Sequence, residues 1–180
     1  MHLEHATPAD LPALHGLIES AYRGDSAREG WSHEADLLGG QRTDLAALEA
    51  IIADAAQHLL VLREGESIRA CVLLVDRGEG LAYLGMLTVE PRRQATGLGR
   101  LILAAAEEHA ATELAATRVE MTVIAQRQEL IAWYQRRGYS LTGEARPFPN
   151  EDPRFGLPKR DDLGFVVLER ALAPAEPPLT

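Results

Sequence analysis

The stretch Leu87-Thr88-Val89-Glu90-Pro91-Arg92-Arg93-Gln94-Ala95-Thr96-Gly97-Leu98-Gly99-Arg100-Leu101 joins an apolar strand to an apolar helix through a glycine-bearing turn. Upstream, Leu81 to Val89 has strand character, and Pro91 ends it because proline brings no N–H to a ladder. Downstream, Leu98, Leu101, Ile102 and Ala105 recur at helical spacing. Gly97 and Gly99 fall where that helix begins. Lacking side chains, they let an anion reach the main chain, where the unpaired N–H groups of the first helical turn face it with the positive end of the helix dipole behind them. Arg92, Arg93 and Arg100 add positive charge around this turn in a chain whose net charge is -9.

Spacing separates the phosphate motifs that compete for this turn. A nucleotide-triphosphate loop requires lysine and then Ser or Thr after its last glycine, whereas Gly99 is followed by Arg100 and Leu101. A dinucleotide fingerprint requires a third small residue where Ile102 stands, although Glu120 lies about twenty residues on, where a ribose-binding acid belongs. The pattern that fits best is Gln-x-x-Gly-x-Gly, from Gln94 to Gly99, preceded by Leu-x-Val-x-Pro, from Leu87 to Pro91. It resembles the acyl-coenzyme-A signature of the GNAT superfamily of N-acetyltransferases. A second segment, Leu130-Ile131-Ala132-Trp133-Tyr134-Gln135-Arg136-Arg137-Gly138-Tyr139, is similar to that family's helix ending in aromatic-Tyr-x-x-x-Gly-aromatic. The resemblance covers Val61 to Tyr139 well and the rest loosely. It departs at Arg127, where the family often carries Asn, and at Ala95, where glycine is commoner.

The resemblance implies an α/β (α+β) fold: a mixed, mostly antiparallel central sheet of six to seven strands, flanked by helices on both faces. It also implies acetyl-coenzyme A as co-substrate, an acetyl group moved to a primary amine of a small molecule or peptide, and direct attack in a ternary complex. The coenzyme contacts it implies are the main chain near Leu87 and Val89, the turn Gln94, Ala95, Thr96, Gly97, Leu98, Gly99 and Arg100, and Arg127. Tyr134 takes the place of the proton donor to the departing thiolate. Its competing role is packing, because Leu130, Ile131 and Tyr134 share one apolar helical face. Trp31, Glu34 and Asp36 lie in the loop after the first helix, a region that commonly lines the acceptor site in this family. An aromatic ring beside carboxylates can hold a cationic amine. His33, Glu34, Asp36, Glu120 and ordered water are all candidates for accepting the amine's proton. A catalytically silent acyl-coenzyme-A sensor, keeping the pocket without turnover, is the rival function.

The rest of the chain constrains the class. Its 180 residues, 46% of them hydrophobic and without a long Pro/Gly/Ser linker, suit one domain over residues 1–173 and a frayed tail at 174–180. A homodimer is compatible with this reading. Net acidity argues against a general nucleic-acid binder. No apolar run approaches the roughly twenty residues of a membrane span, and no basic leader precedes an apolar core, so no membrane partner is expected. The single cysteine, Cys71, allows no intrachain disulfide and suits a reducing cytoplasm. It sits in an aliphatic run, as a buried small hydrophobe rather than an acyl-carrying nucleophile. His-Glu-x-x-His, Cys-x-x-Cys and acidic calcium loops are all missing, so no metal is expected.

Local patterning places the remaining elements. His2 to Ala6 makes a short strand, and Thr7-Pro8 opens a helix with Leu11, Leu14, Leu17, Ile18 and Ala21 on one stripe. Tyr22 to Gln41 reads as loop with at most a short helix, and a helix follows from about Asp44 to Ala56. Strands over His58 to Arg63 and Ile68 to Val75 form a hairpin through Glu64-Gly65-Glu66. After the glycine turn come a helix to about Leu114, a strand from Arg118 to Ile124, a helix from Gln128 to Arg137, and strands from Tyr139 to Thr142 and Gly164 to Glu169.

Overall fold

A computed structural model describes residues 2–173; the tail at 174–180 lies outside them. Its strands are β1 (Glu4–His5), β2 (Leu38–Gly39), β3 (Gln57–Glu64), β4 (Ser67–Asp76), β5 (Leu81–Val89), β6 (Arg118–Ile124), β7 (Ser140–Pro147), β8 (Leu157–Pro158) and β9 (Gly164–Ala171). The helices are α1 (Leu11–Tyr22), α2 (Gly24–Ala27), α3 (Leu45–Ala53), α4 (Leu98–Glu113) and α5 (Gln128–Gln135). Seven strands form one sheet in the order β1-β3-β4-β5-β6-β9-β7, in which only β5 and β6 run parallel. The expected mixed, mostly antiparallel sheet with helices on both faces is what the chain forms. Its unforeseen part is the small antiparallel pair β2–β8, which ties the loop after α1 to the Pro- and charge-rich stretch before β9.

Period-two alternation explains why β3 and β4 read as unbroken apolar runs. Leu60, Ala70, Val72 and Leu74 point into a core shared with α4 and α5, while Leu59, Val61, Cys71 and Leu73 point into a core shared with α1 and α3. The α1 stripe of Leu11, Leu14, Leu17, Ile18 and Ala21 is buried as its spacing requires. The α4 stripe is rotated from the expected one: Ile102, Leu103, Ala106 and Ala110 are buried, and Leu101 is 48% exposed. The run Leu101-Ile102-Leu103-Ala104-Ala105-Ala106 offers apolar residues around most of the helix, so periodicity alone could not choose the face.

One irregularity positions the site. Opposite β4, Leu73 pairs with Gly85 and Cys71 with Thr88, so β5 carries an extra residue there, a β-bulge with Met86 at a positive φ of 52°. Pairing of β5 with β6 stops at Tyr83 and Glu120, below the bulge. From there the two strands diverge, and β6 continues beside β9. The gap leaves one edge of β5 from Gly85 to Val89 without a neighbouring strand.

Candidate active site

Two cavities meet at that gap. The first, of about 220 Å³, is lined by Leu87, Val89, Gln94, Ala95, Gly97, Gly99 and Arg100 from the strand end and turn, and by Trp133 and Arg137 from α5 and its end. The second, of about 320 Å³, lies over β5 and β6 and carries Arg23, Glu34, Arg42, Tyr83, Phe148 and Phe165. Tyr22, Leu87, Arg127, Leu130 and Tyr134 line both. A molecule in each would therefore meet at these residues.

The turn is built to expose main chain. After a single 3-10 turn at Pro91–Arg93, Ala95 adopts a φ of 65° and Gly97 a φ of 88°, and α4 starts at Leu98. Ala95 thus holds a left-handed conformation that glycine adopts without penalty, which accounts for the commoner residue there. A Cβ on Gly97 would meet nothing within 4 Å, whereas one on Gly99 would make ordinary van der Waals contact with Trp133 and Val89. Gly97 faces open space and Gly99 lies beside the indole. The first helical bonds run from Arg100 and Leu101 to the Gly97 carbonyl, leaving the N–H groups ahead of them for a ligand.

Side chains around the turn divide into engaged and free. Arg92 pairs with Glu29 at 2.9 Å and Arg93 with Glu64 at 2.6 Å, so neither adds net charge to the cavity. Gln94 donates to the Val89 carbonyl at 3.2 Å and accepts from the Ser32 N–H at 3.1 Å. It staples the strand end to the loop after α1 instead of presenting a free amide. Thr96 donates to the Arg93 carbonyl and Leu98 packs into the core; neither side chain lines a cavity. Arg100 makes no ion pair among the described residues and lines the first cavity. Arg137, which the sequence reading passed over, sits beside it: its guanidinium lies 3.6 Å above the Trp133 ring and donates to the Trp133 carbonyl, while its buried Nε has no partner among the described residues. Burial, then the charges of Arg136 and Arg100, lowers its pKa. Arg100 and Arg137 are thus cations facing one cavity without a carboxylate. Only the basic last turn of α5 hinted at Arg137, because its direction depends on packing against Trp133.

At the junction, the tyrosines differ. Tyr22 donates its hydroxyl to the Leu87 carbonyl at 2.7 Å. Tyr134 is 5% exposed, stacks edge-on against Trp133 and Tyr139, and its hydroxyl makes no hydrogen bond among the described residues. Burial raises its pKa, helped by the nearby Tyr22, so it is a neutral phenol across the physiological range. Cys71 is buried under α1, its pKa pushed up to about 12 by desolvation, which rules it out as a thiolate nucleophile at neutral pH.

The acidic residues expected at the acceptor site do not present free carboxylates. Glu34 is buried between Arg23 at 2.5 Å and Arg127 at 3.1 Å. Burial pushes its pKa up, but the charges of Arg127, Arg42 and Arg23 outweigh that and hold it below the usual carboxylate range. Asp36 pairs outward with Arg28 at 2.6 Å and lines neither cavity. Glu120 accepts from Arg146 through both oxygens at 2.9 and 3.1 Å, so its carboxylate is engaged. His33 accepts from the Ala35 N–H within its own turn. Trp31 lies 6.1 Å from Trp133, on the first cavity rather than the second. Arg127 fills the position of the expected Asn by bridging Glu34 to the junction.

The model of the acetyltransferase (GNAT) family matches residues 15–139, more than two thirds of the sequence. The chain belongs to the GNAT family. Among curated proteins none matches the sequence. This GNAT protein is similar in fold to the ribosomal-protein-S18-alanine N-acetyltransferase from Escherichia coli, at 16% identity, a TM-score of 0.68, and coverage of 99% of this chain and 98% of the other. It is similar too to the ribosomal-protein-alanine N-acetyltransferase from Brucella melitensis, at 19% identity, a TM-score of 0.67 and coverage of 96% and 100%. A variant of the spermidine N-acetyltransferase from Vibrio cholerae aligns at 16% identity, a TM-score of 0.67 and 95% of each chain. At these identities the likeness concerns the fold, which in the GNAT family carries N-acetyltransferases of differing acceptors.

Proposed function

We propose that this GNAT protein transfers the acetyl group of acetyl-coenzyme A to the primary amine of a small molecule or peptide, by direct attack within a ternary complex. The observation that carries the reading is the meeting of two cavities at Leu87 and Tyr134, in a gap where one edge of β5 has no strand beside it. The turn from Gln94 to Arg100, with Arg137 above it, suits the coenzyme's phosphates. Main-chain groups of Leu87 and Val89 suit the pantetheine arm and the thioester oxygen. The amine nitrogen attacks the thioester carbon, the C–S bond breaks as the intermediate collapses, and Tyr134 gives its phenol proton to the leaving sulfur. The proton shed by the amine passes to water, since Glu34 and Glu120 are both held by arginines.

The second cavity also speaks to the acceptor. Arg23, Arg42 and Arg127 face it against Glu34 alone, and Arg42 has no ion pair among the described residues. A surplus of positive charge repels a polyamine and favours an amine that also bears a carboxylate or phosphate. The test is release of free coenzyme A thiol with a panel of amines matched in size and differing in charge. Turnover of anionic amines, with a KM raised at least about tenfold by Arg42→Gln and far less affected for neutral ones, supports the reading. Preference for polycations overturns the acceptor assignment. Tight acetyl-coenzyme A binding without thiol release for any amine instead supports a catalytically silent acyl-coenzyme-A sensor.

A further inference from the structure

Away from the gap, β1, the start of β3 and the second half of α4 each bring a histidine to one place at the sheet edge. His5, His58 and His109 have ring centroids 5.1, 5.3 and 5.5 Å apart in pairs, and one ring nitrogen from each lies within 4.8 Å of the others. His58 Nδ1 and His109 Nε2 are 3.2 Å apart in a hydrogen bond between the rings, whose shared proton a bound metal would displace. Two imidazole nitrogens bound tetrahedrally to zinc at its usual bond length stand about 3.3 Å apart, so this pair already has the required spacing. His5, the exposed member on a two-residue edge strand, has a ring nitrogen within 4.8 Å of the other two and would complete the set by turning its ring.

We propose that His5, His58 and His109 bind one divalent transition-metal ion of the zinc class, with water completing the coordination, and that the ion fastens the N-terminal strand to β3 and α4. Three neutral imidazoles suit zinc, nickel, copper or cobalt, and the lack of a coordinating carboxylate disfavours magnesium and calcium. Glu113, one turn past His109, and Asp76, at the end of β4, add the negative potential that a cation prefers. The ion would take no part in acyl transfer: His109 lies ten positions along α4 from Gly99, about 15 Å along the helix. Its role is structural: it would add a further tie to a two-residue strand that β3 holds by pairing at Glu4 and His5, by the Glu4–Arg63 ion pair and by the hydrogen bond from the Ala6 N–H to the Leu59 carbonyl.

The test uses the full chain without an affinity tag, stripped of metal and titrated with zinc chloride by calorimetry and thermal melting. The expected result is one zinc per chain and a higher melting temperature. His5→Gln, His58→Gln and His109→Gln should each lower zinc affinity about a hundredfold or more, since even outer-shell changes at metal sites cost up to that. His2→Gln and His15→Gln should leave it unchanged. Should a cluster variant not fold, cobalt(II) bound to the native chain decides: intense visible bands of four-coordinate cobalt support the site, and the weak spectrum of the hydrated ion overturns it. Zinc binding that is absent, or that survives His58→Gln, also overturns it. Coenzyme affinity, measured separately, should not respond to zinc.

Discussion

Tyr22 and Tyr134 line the same pair of cavities, yet only Tyr134 has a hydroxyl with no partner among the described residues. Removing that hydroxyl should therefore remove chemistry with little loss of structure. Tyr134→Phe is expected to lower kcat about a hundredfold or more while leaving acetyl-coenzyme A affinity within about twofold, read from steady-state rates and calorimetric titration. A variant that stays active with a lowered melting temperature would instead make Tyr134 a packing residue. At Gly97 the φ of 88° complicates any substitution, so a matched pair isolates charge from strain. Asn and Asp both tolerate the left-handed region. Gly97→Asn should cost little affinity for acetyl-coenzyme A, and Gly97→Asp should cost at least about tenfold more by placing a negative charge among N–H groups that face an anion. Equal titration curves for the two variants would remove the turn from the coenzyme site. At this scale the glycines and Tyr134 were legible because their motifs are local. Arg137, and the engagement of Gln94 with Val89 and Ser32, were not, because each depends on a partner brought in by folding.

The segment between α1 and α3 shows how an element can be misread for want of its partners. With its glycines and mixed charges it lacks periodicity, and Glu34 and Asp36 look like exposed carboxylates. Packing instead buries Glu34 between Arg23 and Arg127, while β2 pairs with β8 to close the segment over the second cavity. Glu34→Gln would leave two arginines without their counter-charge and should destabilise the fold by about 3 kcal/mol or more, measured by urea unfolding at pH 7. The pH dependence carries a sign. Because the folded pKa of Glu34 lies below its ordinary value of 4.5, the stabilisation is fully present above about that pH and is lost as pH falls through the lower folded value. Acid unfolding curves of the native chain and of Glu34→Gln should therefore converge below pH 4.5. Parallel curves would show that the ion pairs contribute no pH-dependent stability.

For the whole molecule, a ligand that bridges β5, α4 and α5 binds only the folded state. Acetyl-coenzyme A at a hundredfold excess over its Kd should add about 2.7 kcal/mol, a rise in melting temperature of roughly 5 to 10 °C for a chain of this size. NAD at the same concentration should give none, and a reversed result would revive the dinucleotide reading of the glycine turn. The fold class and nearly every main element were determined by the amino-acid sequence itself, because periodicity, Pro91 and the glycines at 97 and 99 act over a few residues. The strand of Leu81–Val89 and that of Arg118–Ile124 have the bounds their patterns implied. Other features follow from contacts between residues far apart in the chain. The buried face of α4 was chosen by the sheet it packs on, since its own sequence is apolar on several sides. The bulge at Met86 that parts β5 from β6 arises from a register between strands, which no single strand encodes. The positively lined second cavity and the cluster of His5, His58 and His109 are likewise assembled from separate segments, and side chains separated along the chain become one electrostatic site only after the backbone has closed around them.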